Sequence, residues 1–122
     1  MQTRLLGDIE VSEIGMGCMA FSHGYGKIPE ESYSIEAIRG AYKHGCNFFD
    51  TAEIYSPNLM GRGHNERIVG KALAPVRENV VIATKLFLNG MEGRTSDAAY
   101  RAVRRHLEAS LDRLQTDWVD IY

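Results

Sequence analysis

Val80-Val81-Ile82-Ala83-Thr84 is the stretch on which the fold class turns. It is almost wholly apolar and rich in β-branched residues, so it reads as a strand covered on both faces. Strands of that kind belong to parallel sheets. On its N-terminal side a helix runs from about Asn65 to Leu73, with Ile68, Val69, Ala72 and Leu73 inward. Before that helix, Asn47-Phe48-Phe49-Asp50-Thr51 is another strand. An earlier helix is opened by Pro29, Glu30 and Glu31 and stopped by Gly45. Its Ile35, Ile38, Ala41 and Tyr42 share one face. Ile14-Gly15-Met16-Gly17-Cys18-Met19 is a first buried strand, followed by a polar loop from Phe21 to Lys27. Arg4-Leu5-Leu6 and Ile9-Glu10-Val11 flank Gly7-Asp8 as a small hairpin. On the C-terminal side, a loop from Asn89 to Gly93 leads to a helix starting at Ser96 or Asp97. Ala99, Val103, Leu107, Ser110, Leu111 and Leu114 mark its buried side, and Trp118 to Tyr122 begins a fourth strand.

Strands alternating with helical crossovers predict an α/β fold with a parallel sheet. An open doubly wound sheet and part of a (β/α)8 barrel both fit this order. With 122 residues the chain is read as one domain, residues 1–122, too short for a closed barrel of about 250 residues. Hydrophobic residues make up 44% and charged residues 25%, enough to bury a core. A net charge of −2 offers no footprint for nucleic acid or an anionic membrane. There is no apolar run of about 18 residues and no N-terminal stretch resembling a signal peptide. Cys18 and Cys46 match no metal spacing and no disulfide framework. A reducing cytoplasm and no metal are the expectations.

Ligands of parallel α/β folds meet the C-terminal ends of the strands. Asp50 ends the second strand, Tyr55 lies in the loop after it, and Lys85 follows the third strand. Any one of them alone reads as a solvated charge or a loop residue. Together they make a proton-donating set. A tyrosine holds its proton at neutral pH, a neighbouring ammonium favours its phenolate, and a carboxylate keeps that ammonium charged and oriented. Such a trio suits an oxygen that develops negative charge, as when a carbonyl receives a hydride. Gly15-x-Gly17-x-x-Ala20 fits the dinucleotide fingerprint on paper. Its context does not, because a loop rather than a helix follows Ala20. His64-Asn65-Glu66 lacks the cysteines of a zinc deaminase. His23 and His64 lie in or beside loops at that end, while His44 and His106 read as solvated or packed helix residues. Arg101, Arg104 and Arg105 read as a solvated helix face.

At these residues the sequence resembles the aldo-keto reductase family. Phe49-Asp50-Thr51-Ala52-Glu53-Ile54-Tyr55 is similar to its D-T-A-x-x-Y signature. Gly63 to Leu73 resembles its G-x-N-E-x-x-x-G-x-A-L stretch, and Val80 to Lys85 its lysine-bearing strand. Leu111 to Tyr122 resembles the approach to strand four, and Ile14 to Met19 with His23-Gly24-Tyr25-Gly26 resembles strand one of bacterial members. The resemblance implies the first half of a (β/α)8 barrel: an N-terminal hairpin plus about 3.5 of its eight βα units. It also implies NADPH-dependent reduction of an aldehyde or ketone, with NADH left open. On it, Tyr55 would donate the proton, Lys85 would assist, and Asp50 would pair with Lys85 and face the cofactor. Gly17, Cys18 and Met19 would lie near the nicotinamide, and Tyr25 would border the substrate. The family's catalytic histidine is expected shortly after Tyr122, and the phosphate-binding loops would lie in the second half. The 122 residues alone are therefore expected to self-associate through open sheet edges and to turn over little or nothing. Two rival readings are a non-catalytic half-barrel association module and a doubly wound NAD-binding domain.

Overall fold

The computed structural model describes residues 1–58 and 61–122. The hairpin pairs β1 (Thr3–Leu6) with β2 (Ile9–Ser12), antiparallel, Leu6 opposite Ile9. Gly7 makes the turn at φ +66°, the backbone sign that primed hairpin turns require. β1 is exposed along its length and β2 buries only Val11 and Ser12, so apolar packing alone does not fasten the hairpin. Side chains do: Ser12 N–H donates to Asn47 Oδ1 at 2.6 Å, and Asn47 N–H donates back to Ser12 Oγ at 3.0 Å.

β3 (Met16–Gly17), β4 (Phe48–Asp50) and β5 (Val81–Ala83) form a parallel sheet in that order. They are shorter than the apolar runs that announce them. α1 (Glu31–Lys43) crosses from β3 to β4, and α2 (His64–Leu73) from β4 to β5. α3 (Ser96–Leu114) follows β5, and α2 packs against both α1 and α3. The strand order never reverses, as in a βα barrel, whereas a doubly wound sheet has a switch point. After Cys18 comes a 3-10 turn, Met19–Phe21, and α1 starts only at Glu31. No helix N-terminus therefore stands at the Gly15-Gly17 stretch, and the dinucleotide fingerprint loses its structural context.

The α1 stop is a Schellman motif. Gly45 sits at φ +94°, its N–H bonds to Tyr42 O at 2.9 Å, and Cys46 N–H bonds to Ala41 O at 3.1 Å. α3 closes the same way on Gln115 at φ +58°, a residue with a Cβ in left-handed space. Thr95 Oγ1 caps its start by accepting the Ala98 N–H.

The expected fourth strand is reduced to one bridge, Ala83 to Ile121. Backbone bonds join it to the edge of β5, Asp120 N–H to Ile82 O at 3.1 Å and Thr84 N–H to Ile121 O at 3.0 Å, and a side chain takes part as well. Ile82 N–H donates to the Asp120 carboxylate at 2.8 Å, not to a backbone carbonyl. Arg77 holds that carboxylate at 2.8 Å and stacks on Trp118, 4.3 Å from its ring centre. The buried side of α3 also differs from the apolar pattern. Ala102, Ser110 and Leu114 are its buried residues, while Val103, Leu107 and Leu111 are half-buried.

The core joins Phe49 and Ile82 of the sheet to Ile38, Ile68, Val69, Leu73 and Leu114 of the helices. α2 and α3 meet closely at Gly70. A Cβ there would stand 2.6 Å from Arg113 O and 2.8 Å from Leu114 Cα, both backbone atoms. Gly70→Ala is therefore expected to destabilise the chain by about 1–3 kcal/mol through overpacking. Urea unfolding reads this as a lower midpoint; an unchanged midpoint would show that the helices are not in backbone contact.

Candidate active site

β4 and β5 deliver their last residues to one end of the sheet. Asp50 pairs with Gly17 on one side and Ala83 on the other. Lys85, two residues past β5, donates from Nζ to Asp50 Oδ1 at 2.7 Å and to Thr51 O at 2.8 Å. The same ammonium lies over the Tyr55 ring, 5.2 Å from its centre. Tyr55 is half-buried, and its backbone is tied at both ends: N–H to Ala52 O at 3.2 Å, carbonyl to Asn65 N–H at 3.1 Å. The three residues singled out by the sequence thus meet. Asp50 and Lys85 side chains remain 40% and 49% exposed, so their ion pair adds little stability.

The other candidates fall at varying distances from this centre. Gly17 is exposed beside Asp50, with open space where a Cβ would point. Cys18 is fully buried, its N–H on Asp50 O at 2.9 Å and its thiol directed at Met16 O. Its side chain and backbone are both enclosed, the carbonyl being held by Asn65 Nδ2 at 2.8 Å. Met19 is half-buried in the 3-10 turn. Tyr25 stands 74% exposed between Gly24 and Gly26, and among the described residues no hydrogen bond joins it to the trio.

Two cavities border the centre. One of 390 Å³ lies beside the Tyr55 loop, walled by Ile54 and Phe87 and rimmed by His23, Arg62 and Asn89. A larger one, 510 Å³, runs from the hairpin (Leu5, Leu6) along Met16 and Phe48 and touches the trio only at Asp50. Its apolar lining along the open sheet face reads as a packing surface rather than a substrate site.

Beneath the trio lies a polar layer of which the sequence had pointed to His64 alone as a lining residue. Thr51 donates to Asn65 Oδ1 at 2.7 Å, and Asn65 Nδ2 donates to Cys18 O and Ser22 Oγ, each at 2.8 Å. His64 Nδ1 meets the same Ser22 Oγ at 2.7 Å. Glu66, 0% exposed, accepts from Thr84 at 2.6 Å and from Arg113 Nε at 2.6 Å. Glu53, 1% exposed, is paired with Arg62 and His106. Among the described residues no buried side-chain nitrogen or oxygen lacks a partner. A signal for two of these was present: Asn65 and Glu66 share the inward face of α2 with Val69, Ala72 and Leu73.

Electrostatics follows this burial. Desolvation pushes the Cys18 thiol up from 9.0 to about 12, with Asp50 and then Cys46 adding to the effect and Lys85 opposing it. Tyr122 is pushed up to about 12, first by burial and then by Glu53 and Glu66. Glu92 is held below the usual carboxylate range by the Asn89 N–H first and His106 second.

A family model described as the aldo/keto reductase family matches residues 13–122. The chain is 34% identical, over its whole length, to YqkF of Bacillus subtilis (strain 168), called an uncharacterized oxidoreductase, and covers 38% of that protein. It is 39% identical over 93% of its length to the aldo-keto reductase YhdN of the same organism, covering 34% of it. The solved holo form of aldo-keto reductase AKR11C1 from Bacillus halodurans matches with a TM-score of 0.73 at 34% identity. That match covers 98% of this chain and 38% of the other. An aldo-keto reductase from Klebsiella pneumoniae, solved in complex with NADPH, gives 0.69 at 31% identity, over 91% and 34%. The chain thus spans little more than a third of the length of the relatives it matches.

The Cys18 shift has a consequence in alkali. The native thiol keeps its proton where the unfolded thiol has lost it, so its contribution is complete below about pH 9 and is lost as pH rises toward 12. Urea stability is expected to fall over that interval, and Cys18→Ala is expected to flatten the slope. Equal slopes in the two proteins would show that the thiol is not protected by burial.

Proposed function

The chain belongs to the aldo/keto reductase family, and on that premise we propose that it forms the catalytic end of an NADPH-dependent carbonyl reductase of the cytoplasm. The observation that carries this reading is the single ammonium, Lys85 Nζ, bonded to Asp50 at 2.7 Å and lying over the Tyr55 ring. Because the chain covers 32–38% of its curated relatives, the activity is proposed for the complete barrel. The 122 residues alone are proposed to turn over little or nothing, since orientation carries much of a hydride transfer.

The residues present fit the nicotinamide end of the cofactor. Gly17 leaves open space beside Asp50 for a flat ring, and the neighbouring backbone is fixed where Asn65 holds Cys18 O. Gly17, Met19 and Asp50 are the residues that would hold that ring, with the buried Cys18 backing them. When bound, NADPH supplies the hydride. Tyr55 gives its hydroxyl proton to the carbonyl oxygen as negative charge grows there. Lys85 stabilises the phenolate that remains, and Asp50 keeps the ammonium aimed. Ile54 and Phe87 offer an apolar wall for the body of an aldehyde or ketone, with Tyr25 an outer contact.

The test follows NADPH consumption by the complete barrel with a panel of aldehydes and ketones, and with NADH in parallel. Tyr55→Phe is expected to lower turnover on the order of 10²–10⁴-fold while leaving cofactor binding in place. Turnover that survives Tyr55→Phe would remove the reading.

A second reading, an association module, draws on the 510 Å³ apolar cavity along the open sheet face and on Leu5, which is 73% exposed. It predicts that the isolated chain self-associates in light scattering. A monomeric mass with cooperative unfolding would count against it.

A further inference from the structure

We propose that Glu53 is a positioning residue for the site, its carboxylate replacing its own backbone carbonyl in the β4–β5 ladder and so fixing Lys85 against the Tyr55 loop. This inference rests on the roles proposed above for Tyr55 and Lys85. Past the ends of the strands the parallel ladder continues: Thr51 N–H bonds to Ala83 O at 2.9 Å, and Glu53 N–H to Lys85 O at 3.1 Å. The parallel pattern then calls for Phe87 N–H to bond the Glu53 carbonyl. That carbonyl is already taken by Gly63 N–H at 2.6 Å, because the chain is turning toward α2. Phe87 N–H donates instead to Glu53 Oε1 at 2.9 Å. Lys85 is thereby gripped on both sides, by its carbonyl on the Glu53 N–H and, two residues on, by the Glu53 carboxylate.

The carboxylate is held still. His106 Nδ1 meets Oε2 at 2.7 Å, Arg62 pairs with Oε1, and Arg113 stands 3.9 Å from Oε2. Stability alone does not call for this arrangement, since an apolar residue of similar volume is often as stable as a buried ion cluster. An apolar residue could not accept the Phe87 N–H. Nor is the exposed Asp50–Lys85 pair strong enough by itself to hold a lysine in place. Tyr55, two residues beyond Glu53, is tied from its own side by Ala52 and Asn65. One buried side chain therefore sets how the ammonium stands to the ring.

The test is NMR on the 122-residue chain. Glu53→Ala removes the acceptor, while Glu53→Gln keeps an oxygen for Phe87 N–H and discards the charge. The readouts are the exchange rate of the Phe87 amide and the Overhauser contact between the Lys85 ε-methylene and the Tyr55 ring. In Glu53→Ala the exchange is expected to rise about tenfold, as for a lost hydrogen bond, and the Overhauser contact to vanish. Glu53→Gln is expected to restore both. A folded Glu53→Ala chain that keeps the contact overturns the proposal, and so does a Gln variant that behaves like Ala. Should Glu53→Ala unfold, Glu53→Asp takes its place. It keeps the charge at shorter reach, with the same two losses expected and their absence overturning. None of these measurements reads turnover. Failure of the Tyr55→Phe assay would remove the reaction and leave the clamp standing, whereas a retained Overhauser contact would remove the clamp and leave the reaction.

Discussion

Asp50 and Lys85 are thirty-five residues apart in sequence and meet because β4 and β5 pair in one register. Side chains alternate between the faces of a strand, so a slip of one residue would turn Lys85 away from Asp50. Two kinds of contact prevent the slip. Backbone bonds from Val81 N–H to Asn47 O at 2.7 Å and from Thr51 N–H to Ala83 O at 2.9 Å fix the ladder at both ends. Phe49 and Ile82, opposite each other and fully buried, fill the helix side of the sheet. Reversing either strand's faces would expose these side chains, at about 1.5–3 kcal/mol each. The position of the ammonium is thus set by the core, not by the ion pair it makes.

The helices are fastened to that sheet by buried charge as well as by apolar packing. Glu66 on α2 reaches Thr84 past β5 and Arg113 on α3, joining three elements through one carboxylate. Breaking such a set strands a charge in the interior, which typically costs 3–5 kcal/mol. This explains the turn of α3. Its apolar stripe of Val103, Leu107 and Leu111 is only half-buried, because His106 and Arg113 are drawn inward to Glu53 and Glu66. At the opposite end of the sheet Arg77 plays the same part, bonded to Asp120, Val80 O and Trp118 O.

Local signals made much of this legible. Gly7 and Gly45 announced a turn and a helix stop because both need positive φ, and both have it. The apolar runs located three strands, and the residues just after two of them located the trio. What sequence reading did not reach depends on partners far along the chain. The stretch from Trp118 to Tyr122 has a strand's composition and bridges β5 at Ile121, but the bond of Ile82 N–H to the Asp120 carboxylate, held by Arg77, could not be read from it. Glu53 sat unremarked inside a recognised motif, since its partners Arg62, Phe87 and His106 are up to fifty-three positions away. A glutamate read alone defaults to the surface. Its inward turn shows only when helix and loop are assembled around it.

The contrast between frame and site carries one more consequence. The frame is dry: Glu53, Glu66, Thr51 and Asn65 have almost no contact with solvent. The pair it positions is wet, with Asp50 and Lys85 nearly half exposed. In so polar a setting the attraction of an ammonium for a developing phenolate is close to its value in water, a small fraction of what a water-excluded site gives. For the reaction proposed, these residues would supply placement, and electrostatic strength would come only with exclusion of water. The apolar cavity along Met16 and Phe48, reaching Asp50 at its upper end, is where a cover would join the frame. Covering it would bury the open sheet face along Met16 and Phe48 and, with it, the Asp50 side of the ion pair.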